Sequence, residues 1–200
     1  MHHLIPPHGG GLVDLLVSPE RAGELKAQSR DWPSWDLLAH QVCDLELLLS
    51  GGLSPLDRYM GRAEVESVCR DLRLPDGTLW PVPVTLDVDA ALADRLAVGD
   101  RLALRDAEGG MLAALTVEEL WHAERAPETE ALFGTSDPDH PGVARYLARR
   151  PPVSVSGRIE GLQTPLHYDF REHRLAPLEL RQLFARHGWR RPTRFPMTPW

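Results

Sequence analysis

Proline and glycine punctuate this chain from end to end, eighteen of one and sixteen of the other in 200 residues. Proline removes a backbone donor and glycine supplies turn conformations, so this density predicts short elements and many turns and argues against a helical bundle. Pro81 and Pro83 are the sharpest case. Two residues apart, they delete donors on the same side of any strand they occupy, which makes that strand an edge or bulges it. With 42% hydrophobic residues, the chain can still bury a real core in one domain, or in one domain plus an appendage.

The first third reads as helical. Ser18-Pro19-Glu20 combines a cap, a proline at the first helical position and an acid in the first turn, predicting a helix from about Pro19 to Ser29. The stretch Asp31-Trp-Pro-Ser-Trp35 breaks it. A second helix, Leu38 to Leu49, carries Val42, Leu45 and Leu49 on one stripe and ends at Gly51-Gly52, and a third, Arg62 to Leu72, aligns Val65, Val68, Cys69 and Leu72.

The period then changes to two. Asp76-Gly77 predicts a hairpin between residues 72–74 and 78–88, and Glu108-Gly109-Gly110 a second between 101–106 and 111–117. Between them, Asp89 to Leu96 reads as a short capped helix. Two helices (127–133 and 141–149) and two short strands (152–156 and 158–162) follow. Six or so short strands with intervening helices predict an α+β fold around a partly closed sheet.

Charge is unevenly spread. The net charge is −7, yet residues 171–200 hold seven arginines against Glu172 and Glu179, leaving −12 on residues 1–170. So acidic a body opposes nucleic-acid phosphates and argues against nucleic-acid binding. No apolar run approaches the roughly 20 residues of a membrane span, and the N-terminus lacks a leader pattern, so a cytoplasmic protein is expected. Cys43 and Cys69 have no C-x-x-C partner and are expected as buried reduced thiols.

Few residues point to chemistry. The loop Pro7-His-Gly-Gly-Gly11 could offer amides to an anion but lacks the lysine and hydroxyl of a phosphate-binding loop. His122, His140, His167, His173 and His187 show no metal-ligand spacing, so structural or surface roles are expected and no metal is assigned. Asp44 and Glu46 lie two apart on a helix and face different directions, while Asp57 and Arg58 sit in a turn suited to a local salt bridge or cap. No catalytic or cofactor-binding residue is assigned.

The segment from Leu175 to Trp189 reads as a helix whose apolar positions include Leu178, Leu180, Leu183 and Phe184, with Gly188 as its C-cap and Trp189 just beyond. Arg171, Arg174, Arg181, Arg186, Arg190, Arg191 and Arg194 surround it. Such a helix either packs on its own domain with arginine on the wet side, or docks a following domain.

Several separated segments carry a resemblance. They are Asp44-Leu-Glu-Leu-Leu-Leu-Ser-Gly-Gly-Leu-Ser-Pro-Leu-Asp-Arg-Tyr-Met60, Phe133-Gly-Thr-Ser-Asp-Pro-Asp-His-Pro-Gly-Val143, Gly157-Arg-Ile-Glu-Gly-Leu-Gln163 and Pro165-Leu-His-Tyr-Asp-Phe-Arg171. Together they resemble the N-terminal region of sulfate adenylyltransferases (ATP sulfurylases), over about residues 4 to 190.

The resemblance implies a PUA-like pseudobarrel over residues 1–170, with 171–200 as a linker helix and the start of a catalytic domain. For the complete family it implies transfer of the adenylyl group of ATP to sulfate, with magnesium accompanying the nucleotide. The family's catalytic domain opens after this helix and bears a Gln-x-Arg-Asn stretch and a His-x-x-His pair. Residues 190–200 contain neither, and their three prolines cannot form a central strand. The expectation is therefore an accessory domain, truncated and inactive alone, with no cofactor of its own.

The resemblance favours the docking account of the helix, with Leu180, Leu183, Phe184 and Trp189 as its contact residues and a catalytic domain or a second copy as partner. Two alternatives stay open: a PUA-like module for RNA, and a scaffold that docks on an intact sulfurylase.

Overall fold

Backbone donors and acceptors in the middle of the chain are satisfied by one mixed six-stranded sheet, seen in a computed structural model that describes residues 4–189. In chain order the elements are α1 (Pro19–Gln28), β1 (Ser34–Asp36), α2 (Ala39–Leu49), β2 (Arg58–Tyr59), α3 (Arg62–Asp71), β3 (Leu86–Val88) and α4 (Ala90–Ala93). They continue with β4 (Arg101–Arg105), β5 (Met111–His122), α5 (Arg125–Phe133), α6 (Pro141–Arg149), β6 (Val153–Gly161) and α7 (Pro177–Arg186). The sheet order is β1-β4-β5-β6-β2, with β3 also on β6.

Strand β6 organises the sheet. One of its edges runs antiparallel to β5 from Val153 to Gly161, and the other is shared by three short partners in succession. Val153–Val155 pair with β3, Gly157 and Arg158 with β2, and Gly161 bridges Leu16. Short partners laid end to end leave no long open edge and curl the sheet toward a barrel.

Both faces of the sheet are covered. Leu102, Leu104, Leu112, Leu115, Val155 and Ile159 join Leu45, Leu48 and Leu49 of α2 and Val65 and Val68 of α3 in the main core. On the other face, Ala103, Ala114 and Met111 leave room for Leu25 of α1. Small residues at 103 and 114 are what let that helix approach the strands.

The helix signals hold. Ser18 caps α1 through the Arg21 amide, and Gly51 takes positive φ just past the C-terminus of α2. Glu64 of α3 accepts from the Gly61 amide, while Glu119 of β5 reaches the Arg62 amide at 3.0 Å.

Three strand expectations are corrected. Residues 78–88 are not one strand: after the Arg73–Leu79 bridge the chain leaves the ladder at Pro81 and Pro83, and pairing resumes only at Leu86. Segments 152–156 and 158–162 are a single strand that continues through Gly157. Residues 34–36, which overlap the end of the stretch read as a break, form β1, parallel to β4.

Gly157 lies opposite a bulge in β5, where the register shifts between Val117 and Glu119. A Cβ there would collide with the Thr116 carbonyl and come within 3.1 Å of the Glu118 amide. Backbone cannot retreat as a side chain can, so Gly157→Ala should destabilise the fold by about 1–3 kcal/mol, read from urea unfolding midpoints.

Candidate functional site: a buried charge cluster, a cleft and an exposed helix

Asp87 is fully buried in β3 and is held by groups from three other elements. Arg125 of α5 lies 3.1 Å from one carboxylate oxygen, Arg150 at the end of α6 donates to the other at 2.8 Å, and Ser154 of β6 donates at 2.6 Å. The backbone carbonyl of Asp87 accepts from the Gln41 side chain of α2, whose own oxygen accepts from the Trp35 indole and the Leu38 amide.

A second buried acid, Glu128, accepts from Arg125 at 2.9 Å and from the Tyr146 hydroxyl at 2.6 Å. Arg150 lies 4.9 Å over the Tyr146 ring. Two acids and two arginines therefore balance within one network. Burial works against the Arg125 charge, but Asp87 and Glu128 outweigh it and hold its pKa above the ordinary arginine value.

Every carboxylate oxygen of Asp87 and Glu128 accepts from a donor within this network, which marks its role as structural, while the buried Arg125 Nε has no partner among the described residues. Removing one partner strands buried charge, so Asp87→Ala, which leaves Arg125 and Arg150 facing each other, should cost about 3–5 kcal/mol in chemical denaturation.

Beside it, α6 faces α2 across a cleft of about 490 Å³. His40 and Asp44 line one wall, and Arg145, Tyr146 and Arg149 the other, with Phe133 between. Asp44 is half-buried; burial chiefly raises its pKa, Arg150 opposes this and Asp87 adds to it.

A carboxyl whose folded pKa lies above its unfolded value costs nothing below the unfolded pKa, about 3.9, and a growing amount as pH rises through the folded one. Asp44→Asn should therefore raise the melting temperature at pH 7, with the gain vanishing in acid.

The anticipated docking residues lie together. Leu180, Leu183 and Phe184 are on α7, and Trp189 folds back so that its ring is 6.0 Å from that of Phe184 and stacks on His187 at 4.9 Å. Gly188 takes positive φ at the helix end. No residue of α7 is fully buried; Leu175, Leu178, Leu180 and Trp189 are exposed, and so are Leu166, Tyr168 and Phe170 just before it. The helix is tethered by Arg181 donating to the Ile5 carbonyl at 2.6 Å, with His167 and Glu46 meeting at 2.7 Å nearby.

Other expectations fall into place or are corrected. The residue 7–11 loop is a turn in which Gly9 rests on Pro55, so it serves packing. Arg58 reaches Glu64 and Glu118 rather than Asp57. Cys43 is exposed, not buried, while Cys69 is half-buried with its thiol pushed up to about 11 by burial and by Glu128.

His140 caps α6 through the Val143 amide. Among the described residues no cluster of His, Cys, Asp and Glu is arranged to hold a metal, and no helix is long and apolar enough to cross a membrane. Residues 190–200, with Arg190, Arg191 and Arg194, lie outside the described residues, as do His2 and His3.

Comparison with known proteins agrees with this architecture. Residues 5–164 match the family model described as a PUA-like domain. A sulfate adenylyltransferase of Kluyveromyces lactis is 40% identical over 192 residues, 94% of this chain and 38% of that protein. One of Symbiobacterium thermophilum is 41% identical over 186 residues, 93% of this chain and 47% of that protein.

A solved structure, a hexameric APS kinase from Thiobacillus denitrificans, superposes with a TM-score of 0.74 at 41% identity, over 94% of this chain and 33% of that one. The chain thus spans less than half the length of these relatives. It belongs to the PUA-like domain family, in the form that sulfate adenylyltransferases carry.

Proposed function

We propose that this chain is the accessory PUA-like domain of a sulfate adenylyltransferase, acting by docking rather than by catalysis. One observation carries the reading: residues 166–189 present the densest run of exposed apolar side chains among the described residues, seven of them before, along and just past α7. An apolar surface of this kind marks a site that another protein surface covers.

The occupant is the part of the sulfate adenylyltransferase that lies beyond this chain's share of its relatives. Leu180, Leu183, Phe184 and Trp189 form the contact, with residues 1–170 as the domain and 171–200 as the linker. The ATP and sulfate chemistry, with its magnesium, belongs to that other part. Phosphoryl-type transfer needs preorganised positive groups around the phosphates. The buried arginines here, Arg125 and Arg150, are already committed to Asp87 and Glu128.

The test is sulfate-dependent release of pyrophosphate from Mg-ATP. The 200-residue chain alone is expected to be silent. A chimaera in which it replaces the matching region of the Symbiobacterium thermophilum enzyme is expected to be active. Leu180→Asp, at an exposed position of α7, should lower that activity by tenfold or more, about 1.4 kcal/mol, without changing the melting temperature of the chain alone. Activity of the chain alone, or a chimaera indifferent to Leu180→Asp, would overturn the reading.

A further inference from the structure

The stretch Phe133–Val143 has no part in the docking surface, yet its geometry is built with care. Helix α5 ends at Phe133, Gly134 turns the chain with positive φ, and the Asp137 carboxylate accepts from the Asp139 amide at 2.9 Å. His140 caps α6, Pro141 starts it and Val143 anchors it in the core. Phe133 sits on Gly142, where a Cβ would come within 2.9 Å of the ring. The result is a fixed α6 that presents Arg145 and Arg149, one turn apart, into the cleft facing α2.

Those two arginines are unlike the others nearby. Arg125 and Arg150 are consumed by buried acids, but Arg145 and Arg149 take part in no ion pair among the described residues. They reverse the local sign of a body that is acidic overall. Across from them the buried Nε2 of His40 has no partner among the described residues.

The opening continues past the first turn of α2, where Ala39 and His40 face Arg149 over a further groove of about 680 Å³. That end of an 11-residue helix carries the positive pole of its dipole. Phe133 and Tyr146, packed edge to face with centroids 6.0 Å apart, add aromatic surface to the cleft.

We propose that the cleft between α2 and α6 binds a small organic ester carrying a tetrahedral oxyanion, a phosphate or sulfate monoester. Arg145 and Arg149 hold the oxyanion, and Phe133 and Tyr146 pack against the organic part. The cleft's volume exceeds what a bare oxyanion fills and falls in the range of small-molecule sites. Guanidinium forks match the geometry of such oxygens. Asp44 is the one acid on the cleft wall and repels the ligand when ionised, so it tunes affinity downward.

The experiment is a titration of the ¹⁵N-labelled chain with phenyl phosphate and, separately, phenyl sulfate at constant ionic strength, followed by amide chemical shifts. Saturable shifts confined to residues 39–44 and 133–150 are expected, and the tighter of the two probes identifies the ester. Arg145→Gln together with Arg149→Gln should weaken binding by roughly tenfold or more, since charge-assisted bonds are lost. Asp44→Asn should tighten it. Both arginines are exposed, so the double variant is expected to keep its melting temperature. Shifts that never saturate at millimolar probe, or an affinity unchanged in the double variant, would overturn the proposal.

Discussion

A single buried carboxylate, Asp87, decides how the helical half of this domain sits on its sheet. It is taken out of water on a three-residue strand, at a cost that only matched partners can offset. Those partners come from residues 125, 150 and 154, so the chain must bring α5, the end of α6 and β6 to one point. Glu128 and Tyr146 close the circuit from the far side. With every oxygen of both carboxylates paired, the network tolerates little displacement, because a shifted group leaves another unpaired. The position of α6 against α2, and with it the shape of the cleft between them, follows from that constraint.

The sheet shows the same economy of edges. One long strand, β6, offers a full edge to β5 and divides the other among β3, β2 and Leu16. Gly157 allows the bulged β5 to approach where any side chain would block it. Both faces of the sheet are covered by helices or core, and the densest run of exposed apolar side chains among the described residues is the segment after β6. Residues 166–189 are therefore where the domain meets the rest of a larger protein in our account.

Local signals were the legible part of the fold. Caps at Ser18 and Gly51 and the hairpin turn at residues 106–110 act over a few residues and formed as their chemistry predicts, and the face of α3 buries Val65 and Val68 while Leu72, expected on it, ends the helix in the left-handed region and is exposed. Long-range partnerships were not legible. Thr85, Asp87, Arg125, Arg150 and Ser154 are spread over about seventy residues with no spacing that betrays their meeting.

Cys43 illustrates the same limit on a helix. The expected stripe used Val42, Leu45 and Leu49, but the buried face of α2 is Gln41, Leu45, Leu48 and Leu49. Gln41 earns its burial by hydrogen bonds to β1 and β3, which turns Cys43 outward. In the candidate sites, the apolar run of α7 could be read directly, whereas the α2–α6 cleft needed the fold to bring residues a hundred positions apart to the walls of one cavity.

Hydrogen exchange followed by mass spectrometry tests the docking account most directly, by comparing α7 in the isolated chain and in the chimaeric enzyme. The account predicts that amides of residues 177–189 exchange quickly in the isolated chain, while β5 and β6 stay protected, and that the helix becomes protected once the remainder of the enzyme is attached. Protection of α7 at core levels in the isolated chain, or no change on attachment, would contradict it.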